Sequence, residues 1–289
     1  MGKVICELCG SVEFRRISLR MIECGSCTAQ FPEKDPTTGV VTNQVAISPS
    51  GRGSFLSRRQ AKIAARVCSG RSLIDFGCGN GSFLYAYTRL NKNSLTVIGV
   101  ELDHDSLKAA QGAGLHIKQS LPIGINDSLV TMWHVAEHLA VEKQRELFRV
   151  LNSGTNALLI SVPNGASFSW RRHREKFSFY DKESHFIQHT PTSLKLLLEQ
   201  SGWEIHSEYR TPVYGLFNAV QTGLNLSRPH NELYSLMKRN QNSITFNLVA
   251  RNLLAAIKAS ISIIKMMLFE VSPRKCSSYT IYAIPLGSR

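Results

Sequence analysis

Two kinds of segment are missing from this sequence of 289 residues, and acidic residues are scarce. The first ten residues contain no apolar run of the length that a secretory signal peptide needs. No stretch of about 20 apolar residues is free of charge, which excludes an ordinary membrane-spanning helix. Only 21 acidic residues stand against 34 lysines and arginines, giving a formal net charge of +13. The sequence therefore predicts a basic, cytoplasmic protein.

The positive charge is concentrated in three parts of the chain. Residues 1–60 hold 8 basic and 5 acidic residues, residues 170–176 hold 4 and 1, and residues 228–289 hold 9 and 2. The rest of the chain holds 13 of each and is neutral. Basic patches attract phosphate groups, whether these belong to nucleic acid, to anionic lipid headgroups or to a nucleotide-linked substrate. Charge alone does not distinguish these partners.

Four of the seven cysteines form two short pairs near the N-terminus, Cys6 with Cys9 and Cys24 with Cys27. Four thiolates at this spacing are typical of a tetrahedral zinc site. We expect Gly10, after the first pair, and Gly25, inside the second, to allow the tight turns. Two disulfides are the alternative, which a reducing compartment disfavours. The sequence predicts a structural zinc ribbon over residues 1–35 and a linker rich in Pro, Thr, Ser and Gly over residues 36–53.

A glycine-rich turn follows a short apolar run that ends in an acid, in the segment Leu73-Ile74-Asp75-Phe76-Gly77-Cys78-Gly79-Asn80-Gly81. The run predicts a strand, and the residues from Ser82 onwards predict a helix. A strand, a glycine turn and a helix in this order bind a nucleotide-like ligand in an open α/β sheet, because glycine lets the backbone approach the ligand. A dinucleotide fingerprint needs glycine at position 82, where this sequence has serine.

A second apolar run, from Thr96 to Val100, ends in Glu101, about twenty residues beyond the glycine turn. A carboxylate there can accept hydrogen bonds from both hydroxyls of a ribose. The two motifs resemble the class I S-adenosylmethionine-dependent methyltransferases. The resemblance implies a Rossmann-like α/β fold, with a doubly wound sheet of seven strands, and S-adenosylmethionine as cofactor. The cofactor-binding residues it implies are Asp75, Gly77, Cys78, Gly79, Gly81, Glu101 and Trp133.

The segment Trp133-His134-Val135-Ala136-Glu137-His138-Leu139 follows the predicted fourth strand. It is similar to a segment of a broad methyltransferase group that includes ubiquinone O-methyltransferases and sugar methyltransferases. Residues 184–194 resemble the part of that group that precedes its last helix, and His185 matches the group's histidine. The resemblance places His134, Glu137, His138 and His185 near the methyl group. We expect His138 or His185 to act as the base, and Glu137 to orient an imidazole or a substrate hydroxyl.

Two other interpretations of these four residues remain open. Glu137 and His138 can serve only to cap a helix or hold a loop. The spacing also resembles metal-dependent RNA 2′-O-methyltransferases, which bind a divalent ion with a Glu-x-x-Glu-His segment; His134 replaces the first glutamate here. A metal site needs at least three of the side chains to converge on one point, whereas a base needs one imidazole facing the methyl group.

The methyltransferase domain is predicted over residues 54–289. Its closing strand is expected at residues 279–284, so residues 212–275 are a mostly helical insertion ahead of it. Within the insertion, residues 247–270 predict an amphipathic helix with one narrow polar and basic face. A lid or dimer helix packed on the domain is one interpretation. Peripheral contact with an anionic membrane is the other.

Together the motifs predict a methyltransferase that acts on a small molecule, either a saccharide or a lipid-linked or isoprenoid intermediate. The alternative acceptor is ribosomal or transfer RNA, held by the ribbon and the basic loop at 170–176. The ribbon has only Phe14 and Phe31 as aromatics, which is few for stacking bases. The Asn/Asp-Pro-Pro-aromatic and Pro-Cys signatures of base-methylating enzymes are absent. A non-catalytic zinc-binding adaptor is a third interpretation, which the intact glycine motif disfavours.

Overall fold

The computed structural model describes most of the chain. The described residues are 5–33, 55–68, 70–91, 96–152, 155–174, 184–210 and 272–287, together with positions 177, 180, 181, 257, 261 and 264. The predicted linker at 36–53 therefore lies outside them, as does nearly all of the predicted insertion at 212–275, including the helix at 247–270. Of that helix the structure describes only Ile257, Ile261 and Ile264, which are helical and exposed.

The N-terminal residues form a small antiparallel sheet of three strands in the order β1-β2-β3. These strands are β1 (Phe14–Arg16), β2 (Met21–Cys24) and β3 (Gln30–Pro32). Three strands of three or four residues bury little apolar surface of their own. This sheet therefore needs support from a metal or from the rest of the molecule.

The second sheet has seven strands in the order β6-β5-β4-β7-β8-β10-β9. Their bounds are β4 (Ser72–Phe76), β5 (Val97–Val100), β6 (Ile117–Lys118), β7 (Ser128–Trp133), β8 (Ala157–Pro163), β9 (Trp203–Arg210) and β10 (Ser278–Pro285). Strands β4 to β8 pair in parallel, whereas β10 lies antiparallel between β8 and β9. All seven residues of β8 are buried, as expected of a central strand covered on both faces.

Six helices connect or cover these strands in the described part of the chain. They are α1 (Phe55–Cys68), α2 (Ser82–Leu90), α3 (His104–Gly112), α4 (Val141–Leu151), α5 (Phe168–His173) and α6 (Pro191–Gln200). Short 3₁₀ helices span Ala136–His138 and Pro273–Lys275. Asp103 caps α3 by accepting from the Ser106 N–H, and Thr190 caps α6 by accepting from the Ser193 N–H. No described helix has the length and hydropathy to cross a bilayer.

The fold class predicted from the sequence is confirmed: the protein has a doubly wound α/β sheet of seven strands. The strand order reverses at β4, because β5 lies on one side of it and β7 on the other. In open α/β sheets the ligand crevice lies at such a reversal, outside the carboxyl ends of the strands. The fold therefore brings the turn after β4 and the segment after β7 to one crevice.

Candidate active site

The turn after β4 contains three glycines with positive φ, at 70° for Gly77, 54° for Gly79 and 77° for Gly81. A Cβ on Gly77 would lie 2.5 Å from the Val135 side chain, and one on Gly81 would overlap Leu115. Gly79 differs, because a Cβ there would meet no described atom within 4 Å. Gly79 is therefore the point at which the turn presents bare backbone to open space.

The carboxylate of Glu101 connects the second motif to this turn. Its Oε2 atom accepts a hydrogen bond from the Gly79 N–H at 2.7 Å. Its Oε1 atom accepts from the Leu102 and Asp103 N–H groups, at 2.8 and 2.9 Å. Glu101 is half-buried and directly follows β5. The predicted ribose-binding acid and the open glycine thus lie side by side, as a nucleoside site requires.

Asp75 supports the turn from inside the sheet. It is buried on β4, and its Oδ1 atom accepts a hydrogen bond from the Thr131 hydroxyl of β7 at 2.7 Å. Burial raises the pKa of Asp75 to about 8; the Thr131 hydrogen bond opposes this effect and the Glu101 carboxylate adds to it. Burial also raises the pKa of the Cys78 thiol. Near neutral pH, Asp75 is therefore mostly the neutral acid.

Trp133 lies at the carboxyl end of β7, on the other side of the strand-order reversal. Its ring is 5.2 Å from the ring of Phe83 on α2, measured between centroids. The indole Nε1 atom is buried and has no hydrogen-bond partner among the described residues. Buried indole N–H groups normally have a partner. This donor is therefore available to a bound ligand.

Glu137 is carried by the short helix after β7, and its side chain is only 1% exposed. Its Oε1 atom lies 3.4 Å from the Nδ1 atom of His134, while its Oε2 atom has no hydrogen-bond partner in the described structure. Burial acts to raise the pKa of Glu137. The His134 hydrogen bond and the charges on His134, His138 and His185 outweigh burial and lower the pKa to about 2. Glu137 is an ionised carboxylate with one free oxygen.

His134 is held by partners on both ring nitrogens. Nδ1 faces Glu137, and Nε2 lies 3.2 Å from the hydroxyl of Ser278 at the start of β10. Its backbone has φ of 61° and donates a hydrogen bond to the Ser161 carbonyl at 2.9 Å. Positive φ in a histidine costs about 1–3 kcal/mol and persists only where the surroundings impose it. The structure thus places His134 as a support for Glu137.

His138 and His185 meet edge to face, with ring centroids 4.5 Å apart. The His138 Nδ1 atom lies 3.3 Å from the Ser184 carbonyl oxygen. His185 is 3% exposed, lies 5.4 Å from the Tyr180 ring, and has no described hydrogen-bond partner for its Nδ1 atom. Burial lowers the pKa of His185 to about 4. A strongly buried imidazole is a poor general base at neutral pH, so of these two histidines the half-buried His138 is better placed for that role.

The predicted residues at the crevice are therefore brought together, with one division of roles. Glu137, His138 and His185 each offer one ligand atom, and these atoms all lie within 4.8 Å of one another. In the contacts described above, His134 meets this group at Glu137. Val135, between His134 and Glu137, packs on Gly77, which places the group beside the glycine turn.

Several supporting residues were missed by sequence reasoning. Ser278 and Ser184 contact the predicted histidines but are separated from them by 144 and 46 positions. Serine is common in loops and strand ends, so neither position gives a sequence signal. Trp170, at the start of the basic segment 170–176, is fully buried and donates its indole N–H to Gln30 at 2.6 Å. It anchors the N-terminal sheet.

The four paired cysteines come together at one end of the small sheet. Their sulfur atoms all lie within 4.8 Å of one another, and the Cys6–Cys27 and Cys9–Cys24 separations are 3.6 and 3.5 Å. Zinc–sulfur bonds of about 2.3 Å in a tetrahedron place sulfur atoms about 3.8 Å apart, so the donor set fits zinc. All four are free thiols.

The two cysteine turns share one geometry, although the glycine stands at a different place in each. In the first turn the Gly10 N–H donates to the Cys6 carbonyl at 2.8 Å with φ of 76°. In the second, Thr28 takes the same place, donating to the Cys24 carbonyl at 3.0 Å with φ of 59°. Gly25 instead lies beneath Glu13, where a Cβ would be 3.3 Å from that residue's own Cβ.

The small sheet packs directly on the large domain. Gln30 exchanges two backbone hydrogen bonds with Gln188, at 2.8 and 3.2 Å, in an isolated bridge three positions after His185. The Gln30 side chain donates to Glu23 at 2.7 Å and to the Gly165 carbonyl at 3.0 Å. Cysteines of the small sheet also belong to the same buried apolar cluster as the centre of the large sheet. The small sheet is thus fixed to the segment that carries His185.

Sequence comparison gives the family. A family described as "Methyltransferase domain" matches residues 50–208, more than half of the chain. The chain belongs to this methyltransferase family. It is an S-adenosylmethionine-dependent enzyme, and the matched residues contain the glycine turn, Glu101 and the Glu137 group. No curated protein sequence matches the methyltransferase.

Solved structures of several methyltransferases are similar to this chain at low sequence identity. One from Archaeoglobus fulgidus is 21% identical, with 79% of this chain and 94% of that chain covered and a TM-score of 0.44. A putative sarcosine dimethylglycine methyltransferase from Galdieria sulphuraria is 12% identical, with 80% and 85% covered and a TM-score of 0.49. One from Clostridium acetobutylicum is 10% identical, with 81% and 93% covered and a TM-score of 0.46.

Proposed function

We propose that this methyltransferase acts on a hydroxyl of a small molecule, either a saccharide or a lipid-linked or isoprenoid intermediate. The observation that carries the proposal is the group of Glu137, His138 and His185 beside the glycine turn. A hydroxyl is a weak nucleophile at neutral pH and needs a group that removes its proton or stabilises its anion. An ionised carboxylate and two imidazoles at the mouth can supply that activation.

The cofactor site is proposed at the turn after β4. S-adenosylmethionine, when bound, supplies an electrophilic methyl group on a positively charged sulfur. Gly79 leaves the open space that a ligand needs, Glu101 offers its carboxylate to ribose hydroxyls, and Trp133 has a spare N–H donor. Gly77, Gly81 and Cys78 shape the turn, and Asp75 supports it from below. The sequence has Gln119-Ser120 where an acid commonly meets adenine, and both residues are exposed.

The residues at the mouth hold and activate the acceptor. Glu137 is fixed through His134 and Ser278, so its free oxygen keeps one direction. His138 is fixed through the Ser184 carbonyl. Because a well-oriented pair of reactants gains roughly 7–11 kcal/mol over a random encounter, such fixed side chains contribute through alignment as well as through proton removal.

The ribbon is proposed to bind one structural zinc ion through Cys6, Cys9, Cys24 and Cys27. Its described basic residues do not favour an RNA-binding role. Arg15 pairs with Glu23 and Arg16 pairs with Glu33, so their charges are partly neutralised. One edge of the ribbon is used by Gln30 against the large domain.

The acceptor class is tested by following the methyl group. Purified protein is incubated with methyl-labelled S-adenosylmethionine and three separate acceptor pools: extracted lipids, water-soluble saccharides and total RNA. We expect label in the lipid or saccharide pool, and at least about 100-fold less with Glu137→Gln, in line with the 10²–10⁴-fold contribution of proton transfer. Lys143→Gln, an exposed change on α4, is the matched surface control. Label in the RNA pool alone would favour the alternative acceptor.

A further inference from the structure

The three side chains at the mouth form a set that we name the Glu-His-His cluster: Glu137, His138 and His185. One ligand atom from each lies within 4.8 Å of the others. Ligands bound to one ion at about 2.0–2.2 Å lie no more than about 4.4 Å apart, which small side-chain rotations achieve here. One carboxylate oxygen and two imidazole nitrogens are a common donor set for first-row divalent metals.

Two atoms of the cluster are buried and have no hydrogen-bond partner in the described structure. They are Oε2 of Glu137 and Nδ1 of His185, on side chains that are 1% and 3% exposed. Leaving a buried polar atom without a partner destabilises the folded state, and a charged group does so most. Both belong to the same cluster, so a single ligand would satisfy them together.

Other polar atoms of the cluster have hydrogen-bond partners, and these partners fix the orientation of the side chains. The Ser184 carbonyl can only accept a hydrogen bond, so in the neutral ring of His138 this contact assigns the proton to Nδ1 and leaves Nε2 as the ligand atom. Glu137 Oε1 is held by His134, which is held in turn by Ser278. Outer contacts of this kind orient metal ligands and fix the histidine tautomer.

We propose that Glu137, His138 and His185 bind one divalent cation of the manganese, iron or zinc type at the mouth of the crevice. Nitrogen donors favour these ions over magnesium and calcium, which prefer oxygen ligands. Three protein ligands leave coordination positions open. Building on the proposed function, those positions bind an oxygen of the acceptor, which the cation makes more acidic. The acceptor atom is therefore oxygen, and its proton passes to solvent.

The test uses Mn²⁺ alone, added to the whole chain of 289 residues with zinc left at the four cysteines. Manganese prefers oxygen and nitrogen ligands, so it does not displace zinc from four thiolates. Electron paramagnetic resonance counts the bound ions, and calorimetry gives the affinity. We expect one Mn²⁺ per chain, with affinity lowered more than about 100-fold in Glu137→Gln and His185→Asn, because even the loss of an outer-sphere partner costs 10–100-fold. His206→Asn, an exposed histidine outside the cluster, is the matched control.

A wild-type protein that binds no Mn²⁺ up to millimolar concentration would overturn the metal site, as would equal binding by all variants. Circular dichroism checks that each variant is folded. If Glu137→Gln and His185→Asn unfold, the Mn²⁺ affinity of His138→Asn, a change at a half-buried residue, is the deciding measurement. S-adenosylmethionine binding, measured on the same samples, separates the two proposals. Normal cofactor binding without Mn²⁺ binding leaves the methyltransferase proposal standing with a base in place of a metal. If Mn²⁺ binds but S-adenosylmethionine does not, the metal site stands and the proposed function fails.

Discussion

At the scale of single residues, the three glycines of the turn after β4 differ in what surrounds them. Gly77, Gly79 and Gly81 all have positive φ, yet only Gly79 faces open space. The first and third glycines serve packing, because a side chain would strike Val135 or Leu115. At Gly79 only the positive φ favours glycine, since a side chain there would strike no described atom.

Gly79→Val tests this assignment. A valine side chain would occupy space that we assign to S-adenosylmethionine, so we expect cofactor binding to be lost in calorimetry while the protein stays folded. The positive φ alone costs about 1–2 kcal/mol of stability. Gly124→Val is a matched control, since Gly124 also has positive φ, at 72°, and open surroundings. Normal cofactor affinity in Gly79→Val would remove the basis for the site.

Asp75 gives a prediction about pH. Its folded pKa of about 8 lies above the usual value for an unfolded aspartate, so the folded state holds a proton that the unfolded state releases. The free energy of unfolding therefore falls as pH rises from about 4 to about 8, by at most about 1.4 kcal/mol per pH unit, and levels off above. Asp75→Asn keeps an oxygen that accepts from Thr131 and should remove this slope in denaturant titrations.

Asp103 provides a control of the opposite sign. Its hydrogen bond with the Ser106 N–H lowers the pKa of Asp103, so its contribution to stability is lost as pH falls into the acid range. Asp103→Asn should alter the acid limb only. If the free energy of unfolding of Asp75→Asn still falls between pH 5 and 8 as in the wild type, Asp75 is not the buried neutral acid that we infer.

At the scale of elements, the sequence predicted those strands and turns whose pattern lies within a short stretch of chain. Strands such as β8 are continuous apolar runs between turn residues, and the glycine turn has a fixed spacing, so both could be recognised. The two-residue strand β6 could be located only loosely, since it has almost no pattern of its own. Turns form at both cysteine pairs as predicted, but the positive φ of the second falls on Thr28, a conformation that threonine rarely takes.

The segments that form the candidate site could be recognised in the sequence, but their contacts could not. His134, Glu137 and His138 stand in one segment, and His185 stands in a second recognisable one. What the sequence could not show is which of their atoms are free. That depends on Ser278, Ser184 and the burial of Glu137, which only the folded chain brings together.

The N-terminal sheet carries the zinc prediction. We expect one zinc ion per chain by elemental analysis, bound in addition to any metal at the Glu-His-His cluster. Cys9→Ser should lose it and destabilise the sheet, because zinc binding contributes roughly 10–16 kcal/mol in small zinc-folded segments. Cys68→Ser is the control, since Cys68 lies on α1 and donates only to the Arg71 carbonyl. Disulfides between the four cysteines, or full zinc content in Cys9→Ser, would contradict the assignment.

At the scale of the whole molecule, the ribbon and the large domain share one structure. Gln30 bonds to Gly165 and pairs with Gln188, while Thr28 and Thr190 place their hydroxyls 2.6 Å apart. Loss of zinc should therefore be felt in the segment that carries His185, although no described hydrogen bond joins the four ribbon cysteines to Glu137, His138 or His185.

The position of β10 has a consequence for the timing of synthesis. This strand lies between β8 and β9, yet the ribosome makes residues 278–285 after both of them. Until then β9 has no paired neighbour in the described sheet, and His134 lacks the Ser278 hydroxyl. A nascent chain can already display the glycine turn, but it cannot complete the wall that holds Glu137. The contact that holds His134 against Glu137 thus depends on β10, which is made after the other six strands of its sheet.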